Sequence, residues 1–113
     1  MQAFLDFSDT PNKNIRDFCA KLNKMISFSS DILYLQIKID NEFYLNMILD
    51  GKNSDIEFKL FRNDCLFFPD GEDTKQYDSF LTKHKFDNND NATDISVSVI
   101  MFCCGYVKNR LLE

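Results

Sequence analysis

A chain of 113 residues, 44% hydrophobic and 27% charged, has the size of one domain and buries roughly two-thirds of the surface its unfolded form exposes, which argues against global disorder. Its net charge of −5 argues against a nucleic-acid or anionic-membrane surface, because phosphates are held by clustered Lys and Arg. Arg16, Arg62 and Arg110 are far apart in the chain. Twelve Phe and four Tyr without a Trp predict a core built on large rings, each removing much apolar area from water.

Along the chain, Ala3 to Phe7 reads as a short strand closed by Ser8-Asp9-Thr10. Pro11 suits the first turn of a helix, with Asp9 or Thr10 as its cap. Ile15, Phe18, Cys19, Leu22, Met25 and Ile26 then follow at helical spacing up to Ser27-Phe28-Ser29-Ser30, an apolar stripe fit to cover a sheet. Alternation begins next: Leu33, Leu35, Ile37 and Ile39 point one way, and Tyr34, Gln36 and Lys38 the other. Asp40-Asn41 predicts a tight hairpin with positive φ. Phe43, Leu45, Met47 and Leu49 share a face of the returning strand, and Asp50-Gly51-Lys52-Asn53 turns the chain again. Ile56, Phe58 and Leu60 alternate with Glu57 and Lys59, Asn63-Asp64 marks another turn, and Cys65 to Phe68 gives a short last strand before Pro69-Asp70-Gly71. Period two with short turns predicts an antiparallel meander of four to five strands with one apolar face.

Tyr77, Phe80, Leu81 and His84 have helical spacing, and Asp87 to Asn91 reads as a solvated loop. From Thr93 onward two patterns compete. Ile95, Val97, Val99 and Met101 alternate as in a strand, whereas Asp94, Ser98, Gly105, Lys108 and Asn109 gather on one side of a helix. Thr93 or Asp94 as cap, and Lys108 and Arg110 near the C-terminus, favour the helix. The expected fold is thus a single α+β domain over 1–113, in the order β-α-β-β-β-β-α-α. Its antiparallel sheet packs against an N-terminal helix and two C-terminal helices.

The opening residues MQAFLDFSDTPNK lack a basic region followed by an apolar one, so a cytoplasmic location is expected. Cys19, Cys65 and Cys103 lie in apolar settings, and the four cysteines are read as reduced small hydrophobes. The longest apolar stretch, Ile95 to Val107, is too short to cross a bilayer. Abundant Asn, Lys, Ile and Phe with little Ala and Gly are a composition typical of AT-rich coding, as in some bacteria, phages and viruses.

Motifs for bond-making chemistry are lacking. A nucleophile needs an adjacent base, and the single histidine, His84, falls on a lysine-flanked segment. Cys103-Cys104 are adjacent rather than spaced as Cys-x-x-Cys, and Asp70-Gly71-Glu72-Asp73 lacks the ligand spacing of a calcium loop. Gly51, Gly71 and Gly105 are too isolated for a phosphate-binding loop. No enzymatic activity, metal or cofactor is expected.

The order Phe4-Leu5-Asp6-Phe7-Ser8, an amphipathic helix, then hairpin strands ending in Leu66-Phe67-Phe68-Pro69-Asp70-Gly71-Glu72-Asp73 resembles the N-terminal third of the ribosome-inactivating N-glycosidases. The resemblance spans residues 3–73 and is architectural. That family's catalytic Glu-x-x-Arg is absent, since no Glu here has Arg three residues later, and Ile56 stands where its adenine-stacking Tyr is expected. No glycosidase activity follows.

The expected function is therefore contact with another protein. Tyr34 and Tyr44, outward on the first hairpin beside Gln36, Lys38, Glu42 and Asn46, are the candidate anchors. Asp50, Asp55, Asp64, Asp70, Glu72 and Asp73 are the candidate acids for steering a basic partner. An inhibitor or immunity-type protein fits this description best. A viral or phage accessory protein and a dimeric secretion chaperone are the alternatives, and a homodimer is compatible with all three.

Overall fold

Three strands of alternating pattern set the architecture. β2 (Ile32–Lys38), β3 (Phe43–Asp50) and β4 (Asp55–Arg62) form the expected antiparallel meander. The register aligns Leu35, Met47 and Phe58 across one face and Gln36, Asn46 and Lys59 across the other. Because successive side chains in a strand point to opposite faces, this register buries Leu33, Leu35, Ile37, Leu45, Met47, Leu49, Ile56, Phe58 and Leu60 together. The computed structural model describes residues 2–10, 13–28, 31–68 and 80–111, and the described residues share one hydrophobic core.

The sheet is mixed rather than purely antiparallel. β1 (Gln2–Asp6) pairs in parallel with β2, placing Gln2 beside Tyr34 and Phe4 beside Gln36. The cause is topological: β1 reaches β2 through a helix, and a helical crossover returns the chain in the same direction. That helix, α1 (Ile15–Phe28), buries Phe18, Leu22 and Ile26. It begins later than the sequence suggests, with the Arg16 amide donating to Asn14 Oδ1 at 2.9 Å, the bond an N-cap supplies. Pro11 lies outside the described residues. Phe18 meets Phe7 edge-on at 4.9 Å, which fixes α1 against the end of β1.

Two short strands share the outer edge of β4. β5 (Cys65–Leu66) pairs with Phe61 and Arg62, and β6 (Lys83–Lys85) pairs with Asp55 to Glu57. Here the structure corrects a sequence expectation, since His84 lies on a strand and not on a helix. The three-residue strand completes the ladder of β4, whose amides would otherwise be unpaired; the Phe58 amide donates to the Thr82 carbonyl and the Phe86 amide to Ser54. Of the two C-terminal helices expected, the described residues contain one, α2 (Asn89–Leu111). The residues on which the other would begin, including Tyr77, lie outside them.

α2 starts at Asn89, where a solvated loop is expected from sequence. Asn88 caps it, its Oδ1 accepting from the Asn91 amide at 3.0 Å. Its Asp94, Ser98, Gly105 and Lys108 are exposed as the helical reading requires, joined by Met101. Its buried face, with Ala92, Val99, Ile100, Cys103, Cys104 and Val107, is apolar because the helix contacts both α1 and the sheet. Ser96, fully buried, lets it approach closely, with Ser96 Oγ 2.7 Å from the Ala92 carbonyl and 3.3 Å from Met47 Sδ. Thr93 Oγ1 lies 2.8 Å from Asn23 Oδ1 of α1. Phe80 stacks on Phe102 at 4.5 Å, and Tyr106 reaches Phe67, which meets Phe43 at 5.4 Å. Rings thus tie the second half of α2 to the sheet, as the Phe-rich composition leads one to expect.

The turns divide in mechanism. Asn63 and Asp64 adopt φ of 49° and 66°, the paired left-handed conformation of a two-residue hairpin turn. Asp40-Asn41 does not use positive φ. Instead the Asp40 carboxylate accepts from the Glu42 and Phe43 amides, both at 2.8 Å, and closes a longer loop.

Candidate functional site: the uncovered sheet face

The two described helices, α1 and α2, lie on the Met47 side of the sheet, as the contact of Ser96 with Met47 and the burial of that face show. No helix among the described residues covers the other side. Alternation brings Phe4 of β1, Tyr34 and Gln36 of β2, Tyr44, Asn46 and Ile48 of β3, and Glu57, Lys59 and Phe61 of β4 to this face. Phe4 is 57% and Tyr34 45% exposed, an unusual degree of exposure for rings of this size.

The face has two regions. A shallow depression of about 310 Å³ is lined by Gln2, Tyr34, Gln36, Asn46 and Ile48, so an aromatic ring stands beside three amides able both to donate and to accept. Nearer the opposite strand ends, Tyr44 and Phe61 are stacked with parallel rings 5.1 Å apart. Burial, followed by the charge and hydrogen bond of Asp64, raises the Tyr44 phenol above its ordinary value of 10.0. Tyr44 is thus held by its neighbours and is partly buried.

The acids do not converge. Asp50 and Asp55 face each other at the β3–β4 turn, whereas Asp64 sits at the β4–β5 turn, the full length of β4 away. Asp70, Glu72 and Asp73 lie outside the described residues. Asp55 faces Lys85, whose Nζ is 2.6 Å from Oδ1, so its charge is largely balanced. Asp50 is occupied in its own turn, accepting from the Lys52 and Asn53 amides and from Asn53 Nδ2. Lys59 lies 3.8 Å from Glu57, and Lys38 is beside Asp6 in the register. The face carries mixed charge rather than an acidic field.

Two of the carboxylates give a pH dependence with a defined sign. Hydrogen bonds from the Ser8 hydroxyl and amide lower Asp6 below 3.8, and those from the Asn53 side chain and amide lower Asp50. A folded-state value below the unfolded one adds stability above the unfolded value, and this is lost as pH falls through the folded value. Asp50→Ala should therefore destabilise by a constant amount from neutral pH down to about pH 5, and the gap to wild type should close as pH falls further. Urea unfolding across a pH series measures this.

A second depression, about 260 Å³, is lined by Phe80, His84, Asp94, Ile95, Ser98 and Val99. It brings an imidazole, a carboxylate and a hydroxyl to one place, which the sequence gives no sign of. His84 Nε2 is 3.0 Å from the Phe80 carbonyl, an acceptor that fixes the proton on Nε2, and the ring packs edge-on against Phe58 at 6.0 Å. Among the described residues no hydrogen bond joins His84 to Asp94 or Ser98, and no group of His, Cys, Asp and Glu is arranged to hold a metal. Burial pushes the Cys103 thiol up to about 12, consistent with a small hydrophobe. Cys65, expected in an apolar setting, is instead exposed on β5. No described helix is long and apolar enough to cross a membrane.

Ile56, at the position where the glycosidase resemblance would place a stacking tyrosine, is fully buried under the helices. Compared with protein-family models, curated proteins and solved structures, the chain matches none.

Proposed function

We propose that this chain is a protein-binding module whose contact surface is the uncovered sheet face, anchored on Tyr34 and Phe4. The observation that carries the reading is the exposure of these two rings on a face that no described helix covers. Aromatic side chains supply large contact area at small cost in side-chain entropy and dominate binding energies where they become fully desolvated. The amides of Gln2, Gln36 and Asn46 around them provide orientation.

The narrower reading is an inhibitor or immunity-type protein that blocks a basic partner. It is supported by the net charge of −5, acting as a long-range field rather than through a local acidic patch. Affinity capture from the source organism, with wild type and Tyr34→Ala as paired baits, tests the first reading; a partner recovered equally by both removes this face from the interface. For the second, the association rate with that partner should fall steeply with added salt. A rate independent of ionic strength overturns it.

A further inference from the structure

β1 is the outermost strand of the sheet, and among the described residues nothing pairs with its outer edge. The Phe7 amide donates to the Lys38 carbonyl at 2.8 Å. In a strand the amide and carbonyl of one residue point to the same side, and those of the next residue to the other. Ala3, Leu5 and Phe7 therefore bond toward β2, while the amides and carbonyls of Gln2 and Phe4 point outward. Natural edges are guarded by lysine, proline, a bulge or a covering loop. β1 carries neither lysine nor proline, its one charge is Asp6 at its end, and its pairing with β2 runs without a bulge.

We infer that β1 pairs antiparallel with β1 of a second copy of this chain, about a two-fold axis passing through Phe4. Phe4 then exchanges both of its hydrogen bonds with its symmetry mate, and Gln2 stands opposite Asp6 at each end. The charges beside the edge select this occupant. The groove between β1 and α1 is lined by the exposed Asp6, Asp9, Lys13, Asp17 and Lys21, of which Asp17 and Lys21 stand one helical turn apart. A two-fold axis reverses their order, so Asp17 of one copy meets Lys21 of the other, and this ion pair forms twice. The two exposed Phe4 rings lie side by side on the same face, and the two uncovered faces merge into a continuous platform. The inference goes beyond the binding reading and does not depend on what that face contacts.

Sedimentation analysis of the full chain from micromolar to millimolar concentration tests it. A species of twice 13.3 kDa is expected to accumulate reversibly. Phe4→Pro removes an amide that β2 does not use and leaves the β1–β2 ladder intact. It should weaken the dimer by at least about tenfold, because symmetry deletes two hydrogen bonds. Asp17→Lys should weaken it by roughly threefold, as expected for exposed pairs, and adding Lys21→Asp to that variant should restore it. Circular dichroism confirms that each variant is folded. A wild type that stays monomeric throughout, or a dimer indifferent to both Phe4→Pro and Asp17→Lys, overturns the inference.

Discussion

Phe58→Ala should lower the unfolding free energy by about 3–5 kcal/mol, the range for emptying a fully buried aromatic site that cannot collapse. Phe58 is 0% exposed. It lies on the central rung with Leu35 and Met47 and carries the His84 ring on its edge. Domains of this size have about 5–15 kcal/mol of stability in total, so the variant should be marginal at room temperature. Its melting midpoint should fall by more than about 10 °C. Phe4→Ala makes the same chemical change on the opposite face and should cost no more than about 0.5 kcal/mol, as for exposed positions. Thermal and urea unfolding of the two variants side by side measures how unequal the two faces of the sheet are. Equal losses would mean that the outer face is also packed.

Tyr34→Ala should show the opposite profile. An aromatic anchor at the centre of an interface is worth about 2 kcal/mol or more, a loss of roughly 30-fold in affinity for the captured partner. Its unfolding free energy should stay within about 0.5 kcal/mol of wild type. Tyr44→Ala is the informative contrast. Its ring is stacked on Phe61 and bonded to Asp64, so truncation should cost stability as well as affinity. Isothermal titration with the partner, paired with urea unfolding, separates the two effects. If Tyr34→Ala lost stability while keeping full affinity, Tyr34 would be a packing residue and the interface would lie elsewhere.

The meander was legible because alternation assigns faces directly: Leu33 to Ile39, Phe43 to Leu49 and Ile56 to Leu60 all bury as their period implies. The stripe of α1 and the turn at Asn63-Asp64 were legible for equally local reasons. Strand direction and partner were not, since alternation is blind to both. The parallel pairing of β1 could have been inferred only from its place before a helix that leads to the next strand. β6 gives no signal, because Lys83-His84-Lys85 has no apolar alternation to read; its main-chain pairing with β4, the Lys85–Asp55 ion pair and the His84–Phe58 contact are all tertiary. At the site, the outward placement of Tyr34 and Tyr44 followed from period two. The same rule applied to Ala3-Phe4-Leu5 and to Leu60-Phe61 identifies Phe4 and Phe61, which sequence reasoning passed over. The scatter of the acids is a tertiary property. Turns attract Asp, and successive turns of a meander lie at opposite ends of the sheet, so acids numerous in sequence are divided in space.

Hydroxyl-radical labelling with mass spectrometry, on the protein alone and with its captured partner, reads the surface most directly. Phe4, Tyr34 and, on the far side of the molecule, Met101 of α2 are exposed by 57, 45 and 44%, and all three react when free. Partner binding should protect Phe4 and Tyr34 and leave Met101 labelled as before. Protection of Met101 with Phe4 and Tyr34 still reactive would place the contact on the helices and contradict the assignment of the open sheet face.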